Sequence, residues 1–204
     1  MSKVIFENSI SLDGYVAGPN DGPENGLGDG GMRLFDWYSS GDTAMPLPGT
    51  DMVFQISRAS ADLLRGEWGQ LGAMVAGRRM FDIAHGWRGN PPGGGNCVIV
   101  THSVPQEWVK EGSPFIFVTD GVESAVRQAR QLAGDKHVSI GSANIAQQCI
   151  KAGLLDEMQL NVAPVLLGAG VRLFENLGVT PVDLEQLSVV AGHGVTHLRY
   201  RIVK

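Results

Sequence analysis

The sequence predicts an α/β fold: a mixed, mostly parallel sheet with helices on both faces and an antiparallel C-terminal hairpin. Three observations carry that prediction. In the middle of the chain, short apolar runs of buried-strand type alternate with amphipathic runs at helical spacing, the pattern of β-α-β units with right-handed crossovers. Twice in that region a glycine stands where a strand passes into a helix, at Gly77 and at Gly141. Near the end, Val182–Val190 and Val195–Val203 are strand-like runs joined through Gly192-His193-Gly194, which reads as an antiparallel hairpin. A length of 204 residues suits one domain spanning 1–204.

Val4–Ile10 reads as the first strand, followed by a segment dense in glycine from Gly14 to Gly31 that does not hold regular structure cheaply. Gly41–Thr50, with Pro46 and Pro48, reads as a second loop and Gly86–Asn96 as a third, and three long loops over one sheet suggest a covered cleft. Between the first two loops and the third, Val53, Ile56, Ala59, Leu63 and Leu64 space a helix over Asp51–Trp68, closed by Gly69 and Gly72. Ala73–Ala76 is a strand, and a short helix opens at Arg78. Cys97–Thr101 and Phe115–Thr119 are buried-type strands. Asp120 then caps a helix with the apolar stripe Val122, Ala125, Val126, Ala129, Leu132 and Ala133, and Glu123 completes a capping box. His137–Ile140 is a strand and Ser142–Ala152 a helix ended by a left-handed Gly153. Met158, Leu160 and Val162 share one face of a strand that Pro164 ends.

The net charge of -5 argues against nucleic acid or an acidic membrane as the main partner, since both need clustered Lys and Arg. No apolar stretch reaches the ~20 residues that span a bilayer, and Met1-Ser2-Lys3 runs straight into an apolar strand without a signal peptide, so a cytoplasmic protein is expected. Cys97 and Cys149 lie in apolar surroundings with no Cys-x-x-Cys pair and read as buried free thiols. His193 and His197 flank a glycine turn rather than one helix face, so no metal site is expected of them.

Neither a Gly-x-Gly-x-x-Gly after the first strand nor a Walker-type lysine loop is present. Gly77-Arg78-Arg79 instead puts two guanidinium groups at a helix start, and Gly141-Ser142-Ala143-Asn144 opens a second helix with small residues that permit close backbone approach. Together they favour a phosphate-bearing cofactor over either turn taken alone. Asn8 and Asn161 are polar residues inside apolar strands, where burial without a partner costs about 1–3 kcal/mol. Asp13 followed by Gly14 is a turn signal.

The stretch from Gly153 to Phe174, with Ile140-Gly141-Ser142-Ala143-Asn144 upstream, resembles the reductase domain of bifunctional riboflavin-biosynthesis proteins and the stand-alone proteins that share its dihydrofolate-reductase-like fold. The resemblance implies a three-layer fold and an NADPH-dependent transfer of hydride to a small heterocyclic or carbonyl-type substrate. Named by family, that is the riboflavin-pathway reduction of 5-amino-6-(5-phosphoribosylamino)uracil. It implies that Gly77, Arg78 and Arg79 together with Gly141, Ser142, Ala143 and Asn144 grip NADPH, and that Thr101, His102 and Ser103 form the loop that reads the adenosine 2'-phosphate. Ser11–Gly18 resembles the loop that folds over the nicotinamide, with Ala17 and Gly18 as backbone contacts. Asn161 matches a substrate-touching position, and Asn8 is grouped with it. Asp62 lies as far upstream of Gly77 as the donor carboxylate of dihydrofolate reductases, with Asp13 as a second candidate for catalysis. A homodimer is expected, since relatives dimerise and the hairpin bearing Leu198, Tyr200 and Ile202 needs cover. The other reading of the same fold is a nucleotide- or flavin-binding module without turnover.

Overall fold

A computed structural model describes residues 2–178 and 180–204, leaving Met1 and Val179 outside it. The chain begins with β1 (Val4–Ser11) and β2 (Tyr15–Ala17), passes through a 3-10 helix at Gly31–Ser39, and makes a small antiparallel pair of β3 (Thr43–Pro46) and β4 (Val53–Ile56) before α1 (Arg58–Trp68). Parallel units follow: β5 (Leu71–Gly77), α2 (Arg78–Ile83), β6 (Asn96–Val100), β7 (Phe115–Val118), α3 (Val122–Ala133), β8 (His137–Ile140) and α4 (Ala143–Lys151). The chain ends with β9 (Glu157–Ala163), the short β10 (Val171–Arg172), and the hairpin of β11 (Leu184–Gly192) and β12 (Val195–Ile202). Eight strands form one sheet in the order β11-β12-β9-β1-β8-β5-β6-β7. β12 runs antiparallel to both of its neighbours, and the remaining pairs are parallel. The expected mixed α/β sheet with an antiparallel C-terminal hairpin is therefore the observed one.

Three local expectations are corrected. The helix expected over Asp51–Trp68 starts only at Arg58, because Ser57 takes the N-cap position and accepts from the Ser60 amide. The preceding Val53–Ile56 is a strand with alternating exposure, Phe54 and Ile56 inward, and it pairs with β3 inside the segment expected to be a loop. A spacing of three between Val53 and Ile56 fits a helix stripe, but Phe54 carries the burial and sets a period of two. The long first loop likewise holds β2, which pairs with β10, and leads into the 3-10 helix. Finally, Asp120 makes no cap: α3 is entered through Gly121 at φ 99, a left-handed value that glycine adopts at little cost. Gly153 ends α4 at φ 65, as its position after the apolar stripe predicts.

Packing divides the two faces of the sheet differently. α3 and α4 cover one face with a single core in which Phe6, Val75, Val98, Val138 and Ile140 meet Ala125, Ala129, Ile145 and Cys149. The opposite face carries two separate cores. One gathers Trp37, Phe54, Ile56, Leu64 and Val195 beneath the 3-10 helix, the β3–β4 pair and α1. The other gathers Met74, Ala76, Phe81, Ile99 and Phe115 beneath α2. The chain leaves a gap between these two cores over the middle of the sheet. No helix among the described residues is long and apolar enough to cross a membrane.

Phe81 is the centre of the second small core, 1% exposed, with its ring set edgewise against Trp108, Phe115 and Phe117. Phe81→Ala is expected to lower the unfolding free energy by about 3–5 kcal/mol, read from the urea midpoint at unchanged denaturant slope. A loss below about 1 kcal/mol would mean that this core collapses onto the vacancy and does not depend on the ring.

Candidate active site

The site originates in unequal strand lengths. β8 pairs with β1 only from Val4↔Val138 to Phe6↔Ile140, whereas β1 runs on beside β9 as far as Ser11↔Ala163. Past Phe6 one edge of β1 has no strand beside it, and the chain leaves β8 through Gly141, whose amide donates to the carbonyl of Val75. The sheet splits there, between strands whose connections depart in opposite directions, the position at which open α/β sheets bind ligands.

A cavity of about 780 Å³ lies along the carboxyl ends of the parallel strands. Its wall takes Ala17 from β2, Gly77, Arg78 and Arg79 from the end of β5 and start of α2, Thr101, His102 and Ser103 after β6, and Gly141, Ser142, Ala143 and Asn144 from the start of α4. The two glycine turns are physically joined, since the Gly77 amide donates to Ser142 Oγ at 3.1 Å. The Ser142 hydroxyl is turned toward Gly77 and makes no cap bond to α4, whose first amides stand beside the cavity without a side-chain cap. Arg78 donates to the Ser103 carbonyl at 2.9 Å and to Asp82 at 2.7 Å, which holds its guanidinium against the Thr101–Ser103 loop. Arg79 is turned elsewhere: it is bidentate on Asp21, through the carboxylate at 2.8 Å and the backbone carbonyl at 2.7 Å.

A second cavity of about 300 Å³ fills the gap between the two small cores. Phe35, Tyr38, Phe54 and Trp68 wall one side, Met74 and Met80 the other, with Leu47, Pro48 and Pro92 in its rim. Its base carries the polar groups Glu7, Ser9, Ser139 and Asn161. Asn8, Met80 and Gly141 line both cavities, so the two meet at the point where β8 stops. A Cβ at Gly141 would meet the terminal methyl of Met74 and the sulfur of Met80, so a side chain there would have to displace the methionines that wall this junction.

Glu7 is the one ionisable acid at the base of the inner cavity, and it is the residue that the sequence reading missed. Burial pushes its carboxyl up to about 7, and the nearby Glu67 adds to the rise; hydrogen bonds from Trp68 and Asn161 and the charge of Arg199 act against it. The Trp68 indole donates to Glu7 Oε1 at 3.3 Å. Asn161 is held from behind: His197 Nδ1 lies 2.7 Å from Asn161 Oδ1, and His197 Nε2 lies 2.8 Å from Ser60 Oγ. Burial lowers the His197 pKa to about 4, so the ring is neutral, with Nδ1–H donating to Asn161 and Nε2 accepting from Ser60. This arrangement commits the Asn161 oxygen to His197 and its NH₂ to the Glu7 side.

The remaining expected residues fall into two groups. Asn8 and Asn161 both face the inner cavity, and the Asn8 carboxamide accepts from the Ser9 amide. Asp62 does not reach either cavity. It sits on the outer face of α1 with its side chain 60% exposed, between Arg58 and Arg65, because Ala61 and Leu64 take the inward positions of that helix. The apolar cleft environment expected for Asp62 is absent at its position. Asp13 also stands away from both cavities: its carboxylate accepts from the amides of Leu167 at 3.1 Å and Gly168 at 2.7 Å. The Ser11 hydroxyl and those amides hold its pKa down to about 2, which keeps it an anion and a clamp between loops. Gly18 lies just outside the larger cavity, packed against the Asp29 carbonyl.

His197 should keep the Nδ1–H form from pH 8 down to about 5 and protonate near 4, as followed by its nitrogen chemical shifts. Between 6.5 and 4 the unfolded chain holds a proton that the folded chain excludes, so stability should fall as the pH drops through that window. His197→Gln should flatten that fall. A ring that titrates at 6.5 or above would show that it does not hold Asn161 in the way described.

Several solved structures share this architecture. A putative riboflavin biosynthesis protein from Shewanella sp. PV-4 aligns over 100% of both chains at 21% identity with a TM-score of 0.68. A RibD from Acinetobacter baumannii aligns over 100% of this chain and 59% of its own at 16% identity and a TM-score of 0.60. The dihydrofolate reductase of Enterococcus faecalis, in a complex with NADP(H), aligns over 99% of this chain and 97% of its own at 13% identity and a TM-score of 0.57. No curated protein matches the chain. At these identities the structures establish the dihydrofolate-reductase-like fold. The family model described as the RibD C-terminal domain matches residues 91–198, more than half of the chain, and this protein therefore belongs to the RibD C-terminal domain family.

Proposed function

We propose that this protein is an NADPH-dependent reductase of a small heterocyclic substrate, with the larger cavity for the cofactor and the inner cavity for the substrate. The observation that carries this reading is the junction of the two cavities at Asn8, Met80 and Gly141, which brings a phosphate-type grip and an acid-bearing aromatic slot together in one cleft. The larger cavity fits a dinucleotide: glycine at Gly77 and Gly141 allows backbone approach, the uncapped amides of α4 favour a pyrophosphate, and Arg78 supplies charge beside Thr101–Ser103. When bound, NADPH supplies the hydride. Ala17 and Asn8 line the cavity near its inner end and would orient the reacting ring. The aromatic walls of the inner slot exclude water from the reacting atoms. Glu7 holds a proton at the base of that slot and takes the donor role for which Asp62 is misplaced.

Two outcomes test this. In a screen of heterocyclic and carbonyl acceptors followed by nicotinamide absorbance, Glu7→Gln should reduce turnover by about 10²–10⁴-fold while NADPH affinity stays unchanged. Wild-type turnover should fall as the pH rises through about 7, because the protonated carboxyl is the active form and ionises there. Turnover that is flat from pH 5 to 9, with Glu7→Gln as active as wild type, would remove Glu7 from the reaction.

By calorimetry, Arg78→Ala should weaken NADPH about tenfold more than NADH, the size of one charge-assisted contact to the extra phosphate. Arg79→Ala should change the two cofactors equally, since Asp21 holds that guanidinium away from the Thr101–Ser103 loop. Equal losses for Arg78→Ala would place the reader of that phosphate elsewhere.

A further inference from the structure

The inner cavity also speaks to the charge of what it binds. Of the side chains lining it, Glu7 is the only carboxyl, and no Lys, Arg or His contributes to its wall. The surroundings are acidic as well. Glu67 of α1 faces Glu7, and one oxygen of Glu67 is buried without a hydrogen-bond partner. Arg199 of β12 is the cation near this pair, and it is shared between Glu67 and Glu157, the latter also held by Lys3 at 2.6 Å. The other titratable neighbours are neutral: Tyr38 on the 3-10 helix, with its phenol pushed up by burial and by Glu7, and His197 behind Asn161. An anionic group brought into this slot would find no basic side chain in the wall to pair with, and wherever Glu7 is ionised it would also meet like charge.

We propose that the substrate is a planar, unphosphorylated heterocycle, neutral or cationic, that presents an N–H donor beside a ring nitrogen to the Glu7 carboxyl. This rests on the reductase reading of the cleft. The pairing is the same two-point contact in either protonation arrangement: a carboxylate accepts from a protonated ring, and a carboxylic acid both accepts the N–H and donates to the bare ring nitrogen. Phe54 and Tyr38, stacked on each other at 3.9 Å, give the slot a flat apolar side to receive a ring. The Asn161 NH₂, fixed by His197, stands beside the same carboxyl and is a further donor to a ring carbonyl. The phosphoribosyl substrate of the riboflavin pathway carries a phosphate for which the wall of this cavity offers no basic partner.

The test uses three probes on the full protein with NADPH present: 2-aminoquinoline, quinoline-2-carboxylate with the same ring and the opposite charge, and uridine 5'-monophosphate. Calorimetry should show 2-aminoquinoline binding, the two anions binding at least about tenfold more weakly, and Glu7→Gln weakening 2-aminoquinoline by about tenfold. In wild type the Trp68 indole N–H resonance, whose acceptor is Glu7, should shift when 2-aminoquinoline is added, a readout that does not depend on how the variant folds. Tighter binding of either anion, equal affinity of Glu7→Gln for 2-aminoquinoline, an unmoved Trp68 resonance, or no binding of the aminoquinoline would each overturn the proposal. NADPH binding is read separately by nicotinamide fluorescence. Its absence would sink the reductase reading, whereas bound NADPH with a rejected aminoquinoline sinks only the substrate class.

Discussion

The whole site depends on a mismatch in length between two neighbouring strands. β8 has four residues and β1 has eight, so the parallel ladder between them ends at Ile140 while β1 continues. Had β8 run on to match β1, its side chains would fill the cleft and its ladder would take up the open edge of β1. Because it stops, the glycine turn into α4 lies beside Asn8, the two cavities meet, and the first amides of α4 reach the larger one. Both faces of the sheet contribute to this arrangement. The α3–α4 face carries one continuous core, and the opposite face is split into two cores whose gap is the inner cavity.

That division explains which parts of the protein were readable in one dimension. The parallel units were legible because each is local: an apolar run, a glycine and an amphipathic stripe lie within about thirty residues of one another. For the same reason Gly77, Arg78, Arg79 and Gly141–Asn144 could be read from the local pattern, while Ala17, Thr101, His102 and Ser103 were named through the family resemblance; all of them line one cavity. The β3–β4 pair was not legible, because Val53 and Ile56 satisfy a helical spacing and the inward Phe54 is recognisable only once its partners Tyr38 and Trp68 are in place.

Glu7 was hidden for a different reason. In Val4-Ile5-Phe6-Glu7-Asn8-Ser9-Ile10 a glutamate looks like the polar side of an alternating strand. What makes it unusual is supplied by Trp68 from α1 and Asn161 from β9, sixty and more positions away. Asp62 misled in the opposite sense. Its distance from Gly77 is measured along the chain, but its direction is set by the helix face, and Ala61 and Leu64 turn that face inward and Asp62 out. Spacing along a helix selects a residue to within one or two positions; which way it points is decided by the apolar stripe.

The Asp13 clamp makes the loop after β1 and the loop after β9 a single mechanical body. Leu167 and Gly168 donate to Asp13, β2 pairs with β10, and Arg172 stacks over Tyr15 at 4.6 Å. Gly170 packs so closely on Ala17 and Gly18 that any side chain there would collide with their backbone. Ala17 and Val171, one from each loop, stand side by side in the wall of the larger cavity. Any displacement of this wall would therefore carry both chain segments together, since neither can leave the other without breaking these bonds.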